Sequence, residues 1–198
     1  MSEAWDKLAK ELDEDDLKEL ILTDHKETGF GAAKFKELDE LDLELVLDFG
    51  CGLGRNFPSL KEVSKRVHGY DLKCMVERCE ELCETRVDLL TSDWSLIQSH
   101  KYDFVVCILV LQHIYDLKAF HKILRDLSRI TENVYVDTRS YIDFDPLNVT
   151  ETPPNLMEEI LKNGHFKVVE TTMPLNQCLE ANYKEEQHYS FTMKSRSV

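Results

Sequence analysis

Three glycines at alternate positions form the motif in this sequence with the clearest chemical potential. They are Gly50, Gly52 and Gly54, and they follow Asp48 within the stretch Asp48–Asn56. Glycine has no Cβ, so a backbone built this way can approach a ligand where any side chain would collide. The apolar run before the stretch predicts a buried strand that turns through the glycines into a helix. Such a turn indicates a site for an adenosine-bearing ligand.

The spacing of these glycines excludes two common phosphate-binding motifs. A dinucleotide fingerprint needs its third glycine three residues after the second, and Arg55 occupies that place here. No Gly-Lys-Ser/Thr follows, so the loop is not a P-loop. The remaining pattern, D-x-G-x-G-x-G after a strand, resembles the first motif of the Rossmann-like (class I) S-adenosylmethionine-dependent methyltransferases.

The resemblance implies that the glycine loop binds S-adenosylmethionine, the methyl donor. Within the loop, the residues expected to contact this cofactor are Asp48, Gly50, Cys51, Gly52, Gly54, Arg55 and Asn56. Arg55 and Asn56 lead into a helix N-terminus, which suits the carboxylate of the cofactor. Arg55 is equally well interpreted as a solvated helix residue. Asp48, an acid at a buried strand end, needs a partner, and we expect it to anchor the loop or reach the ammonium group of the cofactor.

Two further acidic residues follow the next predicted strands. Asp71 lies 21 residues after Gly50, where a Rossmann-like fold places an acid against the ribose hydroxyls. A carboxylate can accept both hydroxyl protons, so we interpret Asp71, with Leu72 beside it, as a ribose contact. The alternative is an N-cap for the following helix. In the family that the sequence resembles, an acidic side chain after the third strand receives the adenine amino group. Asp93 and Trp94 match that position, with a helix cap or turn as the alternative.

The stretch from Lys101 to Ile114 resembles the fourth strand of the family, which ends near the reactive methyl group. The resemblance implies that Cys107 and Ile108 contact the cofactor. Family members that methylate amino groups of bases or of glutamine carry Asn/Asp-Pro-Pro-Tyr/Phe here, whereas this chain has an apolar run. Its ending, Leu-Gln-His-Ile, resembles members that methylate small molecules. His113 is the candidate general base, because histidine titrates near neutral pH; the alternative is a hydrogen bond at the start of the next helix.

Short strand patterns alternate with helical patterns along the chain, as is typical of a parallel sheet covered by helices. The predicted strands are Leu45–Phe49, Val67–Tyr70, Val87–Leu90, Phe104–Leu109, Val134–Asp137, Phe166–Thr171 and His188–Met193. The predicted helices are Asn56–Lys65, Cys74–Leu82, Leu117–Arg129 and Asn155–Lys162. With the resemblance, this pattern predicts an α/β fold. We expect a doubly wound, mostly parallel seven-stranded sheet with an antiparallel C-terminal strand and helices on both faces.

The domain organisation follows from the same pattern. We expect residues 43–198 to form one Rossmann-like methyltransferase domain, preceded by an acidic helical N-terminal arm over residues 1–42. The arm has 14 acidic and 6 basic residues and is interpreted as a lid or as packing that covers the sheet edge. The aromatic and proline-bearing segment Ser140–Pro154 predicts a loop insertion after the fifth strand.

Composition limits the partners and the location. The chain is 42% hydrophobic and 31% charged, typical of a soluble globular protein, and its net charge of −14 argues against nucleic acid as a partner. The sequence lacks signal-peptide features and any apolar run long enough for a membrane span. We therefore expect a cytoplasmic protein without membrane association. The sequence does not predict the oligomeric state.

Six cysteines are scattered along the chain without a C-x-x-C motif. Cys79 and Cys83 lie four residues apart on a predicted helix, with Cys74 about one turn earlier. A metal site there would need a fourth ligand, so we interpret these residues as reduced thiols and predict no metal site.

These observations predict an enzyme that transfers a methyl group from S-adenosylmethionine to an acceptor, which we expect to be a small molecule. Three alternatives stay open because a fold does not fix a reaction. They are a methyltransferase acting on protein or RNA, a non-catalytic protein that binds the cofactor or its demethylated product, and an enzyme that uses the same cofactor in another reaction.

Overall fold

The computed structural model describes residue 38 and residues 40–114, 116–139, 156–172 and 188–196. Nearly all of the predicted acidic arm and the whole predicted insertion Ser140–Pro154 lie outside the described residues. The chain divides into two compact units between Ser99 and His100. Each unit is an alternation of strands and helices.

The first unit contains three parallel strands in the order β3-β2-β1. Its elements are β1 (Leu43–Phe49), α1 (Phe57–Val63), β2 (Ser64–Tyr70), α2 (Lys73–Leu82), β3 (Leu89–Thr91) and α3 (Trp94–Gln98). Phe49 pairs with Tyr70, and Tyr70 pairs with Thr91, so the three strands end at the same level. The loops that follow β1, β2 and β3 therefore start side by side.

Packing explains why these segments form their elements. Six of the seven residues of β1 are buried, which is the near-continuous apolar pattern of a strand covered on both faces. Helix α1 begins Phe57-Pro58, and proline suits the first turn because the N–H that it lacks would have no helical partner. Phe57 and Leu60 are fully buried and fix this helix on the strands.

The second unit contains four strands in the order β4-β5-β7-β6. Its elements are β4 (Phe104–Ile108), a 3₁₀ turn (Leu111–His113), α4 (Leu117–Ile130), β5 (Asn133–Arg139), α5 (Leu156–Asn163), β6 (Phe166–Thr171) and β7 (His188–Ser195). β4 and β5 are parallel, whereas β7 runs antiparallel to both β5 and β6. Helix α4 buries Phe120, Leu124 and Leu127 at three- and four-residue intervals, as its amphipathic pattern predicts.

The predicted α/β fold class is confirmed, with mostly parallel strands and an antiparallel C-terminal strand. The third strand differs from the prediction: Val87–Leu90 was expected, and the strand is Leu89–Thr91. Asp88 explains the shift. Its N–H donates to the carbonyl of Val67 while its carboxylate accepts the N–H of Val67, both at 2.9 Å. A side chain thus replaces a backbone carbonyl just before the strand, which a pattern of apolar residues does not reveal.

Within the described ranges, no helix has the length and the apolar character that would be needed to cross a membrane.

Candidate functional site

The glycine loop leaves β1 through a turn tied to the end of β2. The N–H groups of Gly50 and Cys51 both donate to the carbonyl of Tyr70, at 2.8 and 3.1 Å. Gly50, Gly52 and Gly54 have φ values of 77°, 54° and 80°, a left-handed region that favours glycine. The alternating glycines therefore allow the backbone to turn sharply beyond the sheet.

Gly54 also has a packing role that the sequence does not indicate. A Cβ at this position would lie 2.6 Å from the ring of Phe57 and 2.8 Å from the Sγ atom of Cys83. A Cβ at Gly69 in β2 would lie 2.7 Å from the same ring. The space left by Gly54 is therefore filled by the protein's own side chains, which differs from the expectation that all three glycines serve a ligand's approach.

Asp48 and Asn56 lock the two ends of the loop together. The Nδ2 atom of Asn56 donates to both carboxylate oxygens of Asp48 at 3.2 Å, and both side chains are buried. Burial raises the pKa of Asp48 to about 7, against the opposing effects of the Asn56 hydrogen bond and the positive charge of Arg55. Asp48 therefore anchors the loop through Asn56, which is one of the two roles considered for it. Asn56 is the N-cap residue of α1, yet its side chain makes no cap hydrogen bond.

Asp71 connects the end of β2 to the middle of the glycine loop. One carboxylate oxygen accepts the N–H of Gly52 at 2.7 Å, and the other accepts the N–H of Leu72 at 2.6 Å. Burial raises the pKa of Asp71, and these two amide hydrogen bonds oppose the shift. Leu72, not Asp71, is the N-cap residue of α2, and no side chain caps this helix. The alternative role of Asp71 as a helix cap is therefore wrong.

Asp93 and Trp94 lie where β3 leads into α3, a five-residue helix that was not predicted. Asp93 is exposed and caps this helix, since its Oδ1 atom accepts the N–H and the hydroxyl of Ser95 at 2.8 and 2.6 Å. These hydrogen bonds lower the pKa of Asp93. The cap geometry is thus present, and contact with adenine stays a prediction.

Three aromatic rings cluster where the strands of the first unit end. The ring of Trp94 packs edge-on against Tyr70 and Phe49, with centroid distances of 5.0 and 5.7 Å. Phe49 and Tyr70 stack at 5.4 Å. Burial, followed by the negative charges of Asp71 and Asp93, raises the pKa of Tyr70. Phe49 and Tyr70 were not predicted as site residues; an aromatic residue at the end of each of two neighbouring strands is the signal that indicates them.

The Cys51 thiol lies inside the loop, not on its surface. It is buried, and its Sγ atom lies 3.9 Å from the carbonyl oxygen of Gly52. Burial, followed by the negative charges of Asp48 and Asp71, raises its pKa. A thiol held protonated in this way is a poor nucleophile, so the Cys51 side chain serves packing.

In the second unit, the predicted residues lie at the end of β4. Cys107 and Ile108 are buried in this strand. Leu109 follows with a φ of 57°, uncommon for a residue with a branched side chain, and its N–H donates to the carbonyl of Asp137 at 2.8 Å. His113 ends the 3₁₀ turn, its N–H donating to Val110 at 3.0 Å. Asp116, three residues later, is the N-cap of α4, and both roles considered for His113 stay predictions.

A buried hydrogen bond supports the turn that carries His113. The hydroxyl of Thr138 in β5 donates to the Oε1 atom of Gln112 at 2.9 Å, and both side chains are buried. In the same strand, the hydroxyl of Tyr135 donates to Asp137 at 3.4 Å. This polar group was not predicted from the sequence. Its signal is a pair of polar residues, Asp137 and Thr138, directly after an apolar run.

No group of three or more potential ligands for a metal ion occurs in the described part of the chain.

The arrangement of the first unit suits an adenosine-bearing cofactor. Asp71 lies at the end of β2 beside the glycine loop, and this strand end is where a Rossmann-like site carries its ribose contact. The sequence of residues 47–133 matches the sequence model of a family described as a methyltransferase domain. A search of curated protein sequences finds no match.

Solved structures resemble the whole chain. An S-adenosylmethionine-dependent methyltransferase from Clostridium acetobutylicum ATCC 824 is 17% identical, with a TM-score of 0.63 over 91% of this chain and 96% of that one. Magnesium protoporphyrin IX methyltransferase from Synechocystis PCC 6803, with S-adenosylmethionine bound, is 18% identical, with a TM-score of 0.61 over 98% and 90%. The N-methyltransferase NodS from Bradyrhizobium japonicum WM9, in complex with S-adenosyl-L-homocysteine, is 11% identical, with a TM-score of 0.65 over 98% and 99%.

These structural likenesses establish the fold, and the family match covers residues 47–133 of the chain. The chain therefore has the fold of class I (Rossmann-like) methyltransferases, with a match to a methyltransferase domain in its central part.

Proposed function

We propose that the protein is a methyltransferase that transfers the methyl group of S-adenosylmethionine to a small molecule. The match of residues 47–133 to a methyltransferase domain supports the reaction. Three observations support the class of acceptor. The stretch Ile108–Leu111, which begins at the last residue of β4, lacks the Asn/Asp-Pro-Pro-Tyr/Phe motif of enzymes that methylate base or glutamine amino groups. The similar structures include magnesium protoporphyrin IX methyltransferase, whose named substrate is a small molecule. The net charge of −14 also disfavours a nucleic-acid acceptor.

We further propose that Asp71 binds the ribose hydroxyls of the cofactor. The observation that supports this role most directly is the hydrogen bond from the N–H of Gly52 to Asp71 at 2.7 Å. An ionised carboxylate offers about four acceptor positions, and the two amides use one on each oxygen. The remaining positions can accept two hydroxyl protons. The loop and the ribose contact are thus fixed relative to each other before any ligand arrives.

The other predicted residues of the first unit receive roles on the same proposal. Asp48 holds the loop through Asn56, and its carboxylate, when ionised, suits the ammonium group of the cofactor. Arg55, which is half-buried, suits the carboxylate. Leu72, Asp93 and Trp94 border the adenosine, while Gly50, Cys51 and Gly52 approach it through their backbone.

When bound, S-adenosylmethionine supplies an activated methyl group and carries its own leaving group. The chain's residues therefore have to orient the reactants and exclude water, more than to activate them. For an acceptor that must lose a proton, we propose His113 as the group that takes it, because imidazole titrates near neutral pH. Cys107 and Ile108 remain our predicted cofactor contacts in the second unit.

Isothermal titration calorimetry with S-adenosylmethionine and S-adenosylhomocysteine tests the cofactor site. Asp71→Asn should weaken binding by about tenfold, since a hydrogen bond to a charged group contributes on the order of 1.5 kcal/mol. Asp116→Asn is the matched control: it removes the same charge at an exposed helix cap that asparagine can also occupy. Equal affinity of the Asp71 variant and the control would refute the ribose role.

Turnover assays with small-molecule, peptide and RNA acceptors test the substrate class. Methylation of small molecules alone is the expected result. Methylation of a peptide or of RNA would replace the proposal with the corresponding alternative, and binding without turnover of any acceptor would favour a non-catalytic role or another reaction of the cofactor.

We also propose that the protein is cytoplasmic. No disulfide joins the cysteines of the described residues, and reduced thiols are usual in that compartment. Cell fractionation tests this location, and recovery from an oxidising compartment would contradict it.

A further inference from the structure

Two thiols lie at the end of helix α2. Cys79 is buried in the last turn, and the half-buried Cys83 is the residue at which the helix ends. The N–H of Cys83 donates to the carbonyl of Cys79 at 2.9 Å, so the two residues keep the i,i+4 spacing that places side chains on one helix face. Burial, followed by the charge and hydrogen bond of the Cys83 thiol, raises the pKa of Cys79. The two sulfur atoms are therefore neighbours.

Cys83 also contacts the glycine loop. Its Sγ atom lies 4.0 Å from the carbonyl oxygen of Gly54 and 3.4 Å from that of Thr85. A Cβ on Gly54 would lie only 2.8 Å from the same sulfur atom. The thiol is thus packed beside the loop at Gly54, so a change in the position of this sulfur alters the packing of the loop.

We propose that Cys79 and Cys83 form a reversible disulfide that regulates cofactor binding, with small disulfides such as oxidised glutathione as the oxidant. This inference rests on the proposed role of the glycine loop. The Cys83 thiolate first attacks one sulfur of the small disulfide, whose S–S bond breaks and releases one small thiolate. Cys79 then attacks the Cys83 sulfur and transfers its proton to the departing second thiolate, so that no free thiolate has to form at the buried position. The two cysteines lose two electrons and two protons, and the small disulfide is reduced to two thiols.

Helix geometry explains why the disulfide would act on the loop. Side chains four residues apart on a helix have Cβ atoms about 5–6 Å apart, whereas a disulfide needs about 3.8 Å. The last turn of α2 must therefore tighten and draw Cys83 inward. Cys83 has extended dihedral angles, φ −80° and ψ 122°, so the adjustment falls where regular helix has already ended. A disulfide strained in this way is readily reduced, as reversible regulation requires.

The experiment treats the full-length protein with oxidised glutathione and then with dithiothreitol. Mass spectrometry of tryptic peptides should show the Cys79–Cys83 link as a loss of about 2 Da. Calorimetry should show S-adenosylmethionine affinity falling by at least about tenfold on oxidation and recovering on reduction. The Cys83→Ser variant should bind S-adenosylmethionine normally, and the oxidant should not change its affinity. Cys74→Ala, on the same helix, is the control and should respond like the wild type.

Three results would overturn the proposal: no Cys79–Cys83 link, a link without a change in affinity, or an equal loss of affinity in Cys83→Ser. A second readout separates this test from the proposed function. Hydrogen exchange of the Gly52 and Gly54 amides should become faster in the oxidised protein even if the reduced protein binds no S-adenosylmethionine. Unchanged exchange would refute the coupling, whereas failure of the reduced protein to bind would refute only the function of the loop.

Discussion

Replacing Asp48 by asparagine should stabilise the protein at alkaline pH. The Asp48 carboxyl group is fully buried, and burial raises its pKa from the ordinary value of 3.8 to about 7. The folded state therefore binds more protons than the unfolded state between these two values. The free energy of unfolding must fall as pH rises through this range. Asn56, which donates to both oxygens, can turn its amide and accept from the new asparagine.

The size of the effect follows from the shift in pKa. A shift of 3.2 units corresponds to about 4 kcal/mol when the pH lies above both values. Between about pH 5.5 and about pH 8.5, linkage predicts that ionised Asp48 costs the wild type about 2 kcal/mol. Asparagine carries no ionisable proton, so the variant should lack this loss.

Urea denaturation at several pH values, without cofactor, provides the measurement. The stability of Asp48→Asn minus that of the wild type should grow by about 2 kcal/mol over the range. Asp116→Asn, which removes a charge from the surface, should show no comparable growth. Parallel curves for Asp48→Asn and the wild type would mean that Asp48 does not titrate near neutrality, and the reasoning from burial would be refuted.

Three further predictions concern the packing and the chemistry. Gly54→Ala should lower stability by about 3 kcal/mol, because it combines left-handed strain with a clash against Phe57. Gly164→Ala, with φ +77° and open space, is the control and should cost only about 1 kcal/mol. Equal losses of the two variants in thermal unfolding would contradict the clash. Thr138→Val should lower the free energy of unfolding in urea titration by about 1–2 kcal/mol, because it removes the buried hydrogen bond to Gln112. Thr138→Ser should retain most of the stability. A valine variant as stable as the wild type would count against the hydrogen bond. His113→Ala should keep cofactor affinity and lose turnover, and full turnover would remove histidine as the base.

Much of the fold could be predicted because parallel strands have a simple signal. Leu45, Val46 and Leu47 are buried together in β1, and such a run is visible in a single sequence. The start of β3 could not be predicted in the same way. There, the Asp88 side chain supplies the hydrogen bond that a backbone carbonyl would otherwise make, and polar side chains of this kind look like loop residues.

The candidate site was predicted in part for a similar reason. Asp71 was found because its distance from the glycines follows from the length of one helix and one strand. The hydrogen bond between Asn56 and Asp48 was not predicted, because two residues eight positions apart meet only through the exact path of the loop between them. The rings of Phe49 and Tyr70 meet only because neighbouring strands are in register, and register is a property of the paired strands.

The ring of Phe57, which packs against Gly54 and Gly69, gives these two glycines a reason to be conserved that does not depend on a ligand. A descendant of this protein that no longer bound a cofactor would be freed from any constraint on backbone approach to a ligand. It would still have to keep glycine at both positions for as long as a large side chain filled position 57. The last glycine of the motif is thus inherited with the hydrophobic core, independently of any ligand.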